Sequence, residues 1–333
     1  MRRETVLVTG GAGFIGSNIV ADLTARGDVE VVVCDRLRQA ESGKWRNLAK
    51  HDIADFVAPE NLFGWLEAHK NRVGAIIHMG AISGTTEPDA DLIVHTNFTL
   101  SRDLWDWCCD HGVRLAYASS AATYGDGEQG FADHDDHQSL KRLRPLNAYG
   151  WSKAFFDLYA RRQADRGRQP PSWAGLKFFN VYGPNEYHKG AMKSVIAQVY
   201  PKAAAGETVT LFRSHNPAYA DGGQLRDFVY VKDAAKAAVW LALEAQCAGV
   251  YNLGTGKARS FKDLALSVFA ALGAEPQITY VDTPQIIRDK YQYFTEARME
   301  RLAALGYTGG FHSLEEGASD YVRTYLAASD PYR

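Results

Sequence analysis

The strand-forming run Val6-Leu7-Val8 passes directly into Thr9-Gly10-Gly11-Ala12-Gly13-Phe14-Ile15-Gly16, and this junction constrains the fold more than any other feature of the chain. Glycines at 10, 13 and 16 let the backbone turn tightly, approach a pyrophosphate and open a helix whose N-terminus faces it. A glycine motif alone is weak. Here a second strand, Val29 to Cys34, runs into Asp35, about 20 residues beyond the motif, where a carboxylate suits ribose hydroxyls. Strand-like runs at Ala75 to His78 and Leu115 to Ala118 alternate with amphipathic stretches, as successive βαβ units do. The fold class that follows is α/β: a Rossmann-type doubly wound parallel sheet.

A length of 333 residues exceeds one domain of about 150, so a second lobe is expected. Beyond residue 180 the texture becomes rich in Gly, Pro, Tyr and Asn, as in Val181-Tyr182-Gly183-Pro184-Asn185-Glu186, which suits loops around a ligand. Asp227 to Leu243 reads as a strand and an Ala-rich helix that return to the first domain. The predicted dinucleotide-binding domain is therefore 1–178 with 230–256 and 293–308. A smaller, discontinuous α/β substrate domain takes 179–229, 257–292 and 309–333.

Thirty-seven Lys and Arg against thirty-nine Asp and Glu argue against nucleic acid and leave a small molecule as the partner. Cys34, Cys108, Cys109 and Cys247 form neither a disulfide framework nor a metal-ligand spacing, which fits a reducing cytoplasm. No apolar leader precedes Thr5 and no run approaches the roughly 18 apolar residues of a membrane span. Asp133-His134-Asp135-Asp136-His137 has metal-ligating residue types, but it sits in a charged insert ending at Arg144 and reads as a solvated loop.

Asp35 alone would select NAD, because a carboxylate repels a 2′-phosphate. Arg36, Arg38 and Lys44 follow closely and supply cations for that phosphate, which tips the expectation to NADP with NAD still open. Asp52-Ile53 is a further candidate for the adenine edge, or a helix cap.

Tyr149-Gly150-Trp151-Ser152-Lys153 sets Tyr149 and Lys153 one helical turn apart, and Ser119-Ser120 ends the strand from Leu115 at the edge where such sheets bind ligands. A phenol with a pKa of about 10 is a poor base near neutrality, but the Lys153 ammonium and an oxidised nicotinamide both favour phenolate. Tyr149 then takes a hydroxyl proton as hydride leaves the same carbon. Without the glycine motif and the serine pair, a surface Tyr and Lys would be the simpler reading.

With Thr-Gly-x-x-Gly-x-x-Gly, a strand-ending Ser and Tyr-x-x-x-Lys, the chain resembles the extended short-chain dehydrogenase/reductase family. Phe14-Ile15-Gly16-Ser17-Asn18, Ala118 to Gly125, Phe179 to Pro184, His188-Lys189-Gly190 and Arg226 to Val231 are similar to its nucleotide-sugar 6-epimerases. That resemblance, which spans nearly the whole chain, implies an isomerase that oxidises C6 of an ADP-heptose and reduces the ketone on its other face. It also implies a homo-oligomer, a pentamer by family habit, acting in lipopolysaccharide core precursor synthesis. By similarity Tyr149 serves one epimer and Lys189 the other. Phe14, Ile15, Met79, Gly80, Ala81, Ile82, Ser83, Asn97 and Val181 match cofactor-side positions. Asn180, Phe212, Arg213, Ser214, His215, Arg226 and Tyr291 match the ADP-sugar side. Ala191 and Gln198 stand where relatives carry Ser and His at the substrate, Pro59 replaces a cofactor-side Lys, and the insert before Pro145 is longer. A 4-epimerase on the same scaffold is the nearest rival. A dehydratase fits less well, because Ala121 and Ala122 occupy its Asp-Glu positions, and a dinucleotide sensor without chemistry would lack the Tyr and Lys.

Overall fold

A computed structural model of the chain describes residues 4–37, 42–84, 87–288 and 292–333. Its first half alternates as expected: β1 (Glu4–Thr9), α1 (Phe14–Arg26), β2 (Val29–Cys34), β3 (Asp55–Val57), α2 (Leu62–His69) and β4 (Val73–His78). Short α3 (Ala90–Ile93), then α4 (Leu100–His111), β5 (Arg114–Ser120), α5 (His137–Arg142), α6 (Ala148–Asp165) and β6 (Trp173–Phe178) follow. The chain then runs through β7 (Asn180–Tyr182), α7 (Val195–Ala204), β8 (Val209–Phe212), β9 (Leu225–Tyr230) and α8 (Val231–Leu243). Next come β10 (Ala248–Leu253), β11 (Ala258–Ser260), α9 (Phe261–Leu272) and β12 (Ile278–Val281).

Seven strands form one sheet in the order β10-β6-β5-β4-β1-β2-β3, every pairing parallel. Alternate residues of one strand serve opposite faces, because side chains on a pleated strand alternate. Val6 and Val8 pack with Val31, Val33 and Ile77 beneath α1 and α8, whereas Leu7 joins Val32, Ile76, Trp105 and Trp173 beneath α4 and α6. Both faces are covered, so each strand reads as a continuous apolar run. A separate core of Ile196, Val199, Leu211, Phe228, Leu264, Val268 and Tyr321 organises the second lobe.

β1 continues outward through β2 to β3, while β4 starts the walk to β5 and β6 on the other side. The ends of β1 and β4 therefore flank the crevice where such folds bind ligands. The backbones there nearly touch. Gly10 has φ +65°, and a Cβ on it would sit 2.6 Å from the Gly80 nitrogen. A Cβ on Gly16 would lie 2.1 Å from the Gly10 oxygen, so α1 meets its strand only without side chains at both positions.

Two expectations change. The strand at Asp227 does not rejoin the large sheet: β9 pairs with β7 and β11 in the smaller one, and only α8 returns, packing beside α1. The Asp133 to Arg144 insert is not simply a solvated loop. Asp133 is buried and accepts from the Asn252 amide at 2.9 Å, and Asp135 accepts from Val250 at 3.1 Å while pairing with Arg301. The insert thus covers alternate outward amides of β10, the edge strand of the large sheet, which would otherwise invite another strand. Among the described residues no cluster has the makings of a metal site, and no helix is long and apolar enough to cross a membrane.

Candidate active site

A cleft of about 760 Å³ opens at the β1/β4 crevice and extends to the second lobe. Gly10, Gly13, Phe14, Ile15 and Gly16 form its first wall. Gly13, the N-cap of α1, brings no capping side chain, so the amides of the first turn are available to an anion, which the positive end of the helix also favours. The site contains what a dinucleotide pyrophosphate requires.

Asp35 is already engaged. Its carboxylate accepts from the Ala12 amide at 2.9 Å and the Arg36 amide at 2.6 Å, and pairs with Lys44 at 2.5 Å. The carboxylate expected at the ribose therefore braces the glycine loop and is neutralised by a cation that itself lines the cleft beside Ser42. Arg36 points elsewhere, its exposed guanidinium reaching Glu60 at 3.4 Å. Arg38 lies outside the described residues. Asp52 is exposed and Ile53 packs against the core, neither of them on the cleft lining.

Met79, Gly80, Ala81 and Ser83 form the floor. Ile82 is held from behind, its amide donating to Asn97 Oδ1 at 2.8 Å and its carbonyl accepting from Asn97 Nδ2 at 2.9 Å. Fully buried Asn97 thus positions the floor rather than facing the cleft. A polar chain ties this floor to β1. Ser101 donates to the Asn97 carbonyl, so His78 Nε2–H donates to Ser101 Oγ, and His78 Nδ1 accepts from Thr9 Oγ1 at 2.6 Å. Thr9 Oγ1 in turn accepts from the Gly80 amide. Burial, aided by the Lys153 charge, pushes His78 down to about 3, so the ring is neutral.

Ser120, Tyr149 and Lys153 line the cleft together. Asn147 caps α6 by accepting from the Gly150 amide at 2.8 Å, which places Tyr149 in the first turn and Lys153 one turn later on the same face. Lys153 is 3% exposed, and burial pushes its amine down to about 8 against the pull of Asp157. Burial dominates at Tyr149 as well and raises the phenol, opposed by its hydrogen bond with Ser120. The phenol is thus held protonated rather than driven to phenolate by Lys153 alone.

Asn180, Val181 and Lys189 approach from the other lobe. Lys189 lies in a short 3₁₀ turn, Tyr187–Met192, its amine 4.9 Å from the Phe14 ring centroid and pushed down by burial. The turn is anchored by Glu186, buried, which accepts from Ser194 and Tyr321. Asn47, which the sequence did not mark, bridges the walls: its amide donates to the carbonyls of Ala12 and Asn185 and meets His188 at 3.3 Å. Desolvation lowers His188 to about 4.

The expected sugar-side residues are only partly gathered. Gln198 and Phe212 line a hollow of about 370 Å³ that shares Val195 and Phe261 with the main cleft. Ala191 is exposed beside it, its carbonyl 3.4 Å from the Gln198 amide. Arg213 lies between Asp221 and Asp282, Ser214 donates its amide to Asp221, and His215 Nε2 accepts from Thr283, so these three shape a loop. Arg226 turns inward, donating to the carbonyls of Leu225 and Gln292 and facing the Phe261 ring at 5.7 Å. Tyr291 is outside the described residues. Sequence reasoning also missed Asp157 and Lys177, a buried ion pair behind Ser120 with an N···O distance of 3.1 Å. Two such residues on separate elements carry no local spacing signal.

Residues 6–254 match the NAD dependent epimerase/dehydratase family. The chain is 49% identical over 329 residues to an ADP-L-glycero-D-manno-heptose-6-epimerase of Nitratidesulfovibrio vulgaris, covering 98% of this chain and 99% of that one. Among solved structures, the Helicobacter pylori ADP-L-glycero-D-manno-heptose-6-epimerase superposes with a TM-score of 0.80 at 30% identity, covering 98% of this chain and 97% of that one. The UDP-glucose 4-epimerase of Thermus thermophilus in complex with NAD gives 0.74, also at 30%, with 97% and 99% covered.

The neutral His78 makes a pH prediction. Its folded value lies below the unfolded one, so the stability it contributes is complete above about pH 6.5 and is lost as the pH falls toward 3. A His78→Gln variant, which keeps a donor and an acceptor but does not titrate, should gain on the native protein by about 1.4 kcal/mol per pH unit below 6. Denaturant melts of both proteins at pH 7.5, 6 and 5 measure this difference, in which the titration of all other groups cancels. A constant difference would contradict the assignment.

Proposed function

The chain belongs to the NAD dependent epimerase/dehydratase family, and we propose that it inverts C6 of the heptose in ADP-D-glycero-D-manno-heptose to give the L-glycero epimer. The observation that carries this reading is that Tyr149 and Lys189, two groups able to move a proton, enter one cleft from different lobes. This arrangement suits an epimerase, because it offers each epimer's alcohol its own proton acceptor once the ketone has turned its other face to the hydride donor. Full-length identity to relatives named as heptose 6-epimerases supports the same substrate. The 4-epimerase reading has the fold and 30% identity to the Thermus thermophilus enzyme in its favour, against 49% to a relative named as a heptose 6-epimerase.

The residues fit a dinucleotide: an uncapped helix turn for the pyrophosphate and a glycine path too narrow for any Cβ. Bound there, it would supply a hydride acceptor and donor at the sugar carbon and, when oxidised, a positive charge that lowers the Tyr149 phenol. Tyr149 accepts the hydroxyl proton of one epimer and returns a proton to the ketone oxygen in the reverse direction. Lys189, its amine lowered by burial, performs the same exchange for the other epimer. Ser120 donates to the sugar oxygen. Lys153, held as ammonium at neutral pH, favours the ionised phenol.

We further infer that the dinucleotide is NADP. Lys44 cancels the charge of Asp35 that would otherwise repel a 2′-phosphate, and it lines the cleft beside Ser42. Lys44→Ala should weaken NADP binding more than tenfold and NAD binding less than threefold, read as dissociation constants by calorimetry. Equal losses, or native protein that copurifies with NAD and binds it more tightly, would refute NADP.

Tyr149→Phe tests the function itself. It removes one hydroxyl and little volume, so the melting temperature should stay within a few degrees while turnover of ADP-D-glycero-D-manno-heptose falls at least a hundredfold. Near-native turnover would remove Tyr149 from the chemistry, and a native enzyme inactive on this substrate would remove the substrate.

A further inference from the structure

Behind the cleft lies a charged pair that the proposed chemistry does not itself use. Asp157 is on α6, one turn beyond Lys153, and is fully buried; Lys177 on β6 is 1% exposed and reaches its Oδ2 at 3.1 Å. The same carboxylate accepts from Ser119 Oγ at 2.7 Å and from the Tyr117 hydroxyl at 3.1 Å. Lys177 also donates to Thr123 Oγ1 at 2.7 Å and lies 4.7 Å from the Tyr124 ring centroid. Thr123 Oγ1 then donates to the carbonyl of Ser120 at 2.8 Å.

Two arms of this network therefore converge on Ser120. One comes through Ser119, its neighbour in β5. The other comes through Lys177 and Thr123 to its own carbonyl. Ser120 in turn hydrogen-bonds Tyr149. A third link runs along α6, where Asp157 acts on the Lys153 amine.

Stability is a poor reason to retain such a pair, because two ions without solvent recover their desolvation cost only with good geometry, and apolar replacements of similar volume are often neutral. A charge fixed behind a reacting group has a different value: it holds geometry and potential without reorganising during the reaction. We propose that Asp157 and Lys177 are positioning residues that hold Ser120 against Tyr149 and fix the electrostatic environment of Lys153 from the protein interior. This rests on the reading of Tyr149, Ser120 and Lys153 as the reaction centre.

Lys153 is coupled to His78 from β4 and to Asp157 on its own helix, and shares the cleft wall with Ser120 and Tyr149, while Asp157 is itself faced by Tyr117 and Ser119 from β5 and by Lys177 from β6. Asp133 from the insert adds a more distant carboxylate that senses Lys177. Asp157 is the carboxylate of this set one helical turn from Lys153, and it favours the ammonium form against the larger effect of burial. Its removal should move the Lys153 titration to lower pH.

Two variants test the proposal: Asp157→Asn, and the double variant Asp157→Asn with Lys177→Met, which also removes the cation left unpaired. The Lys153 amine is followed by NMR titration of selectively labelled lysine in the full-length protein, alongside the pH profile of kcat, KM and the melting temperature. In both variants we expect the Lys153 titration and the matching limb of the kcat profile to fall by about half a pH unit or more. We expect kcat to drop about tenfold with KM within threefold. The double variant should regain most of the melting temperature without regaining kcat or the native titration. Recovery of kcat and titration together with melting temperature would reduce the pair to a structural role and overturn the proposal, as would native values in both variants. If Asp157→Asn does not fold, the double variant decides alone. The NMR titration reads the inference even if the native protein fails to turn over ADP-heptose, so its failure and that of the proposed function remain separable.

Discussion

Everything in this molecule is arranged around the near-contact of two backbones at the ends of β1 and β4. Gly10 and Gly80 meet where a Cβ would stand 2.6 Å from a backbone nitrogen, and Gly16 brings α1 against the same turn. Because no side chain intervenes, the carboxyl ends of two central strands and an uncapped helix N-terminus face one small volume. That volume suits an anionic group such as a diphosphate. The remaining walls are then held in place by polar chains. Thr9, His78, Ser101 and Asn97 fix the floor, and Asn47 ties the glycine loop to the turn that carries Lys189.

These chains share an energetic logic. A buried polar group costs free energy unless paired, so a completed chain has one low-energy arrangement and each partial version is penalised. Asp227, accepting from Thr255, Gly256 and Ala297, applies the same rule where the chain crosses back between lobes. Asp133 and Asp135 apply it at the sheet edge. The glycine wall and the floor of the cleft are therefore held by completed pairings. Farther out, Arg226 and His215 satisfy backbone groups of segments distant in sequence, the carbonyl of Gln292 and the amide of Thr283.

What the sequence revealed and what it concealed divide along the same line. The parallel strands, the glycine turn and the Tyr149/Lys153 face of α6 were legible because each depends on residues within one or two turns of each other. Lys44 was legible as a cation near Asp35, but its direct pairing was not, since it lies nine residues away in the sequence. Asn47, Asp157 and Lys177 were invisible for a stronger reason. Their partners come from other elements, and only the completed sheet brings Lys177 within 3.1 Å of a carboxylate on α6. The insert misled in the opposite direction, because a run of acidic residues and histidines looks solvated until an edge strand supplies amides for it. Phe14 and Lys189, far apart in sequence, became neighbours through the same long-range assembly.

The central claim is that C6 is inverted by oxidation and reduction rather than by removing its hydrogen as a proton. C6 carries an alcohol with no adjacent carbonyl, so that hydrogen is not acidic, and neither Tyr149 nor Lys189 could take it from carbon. The most direct measurement is the reaction in heavy water with ADP-D-glycero-D-manno-heptose, followed by NMR and mass spectrometry of the product at C6. The account predicts inversion confined to C6 with the original hydrogen retained there and no deuterium incorporated. Substantial deuterium at C6, or inversion at another carbon, would contradict it.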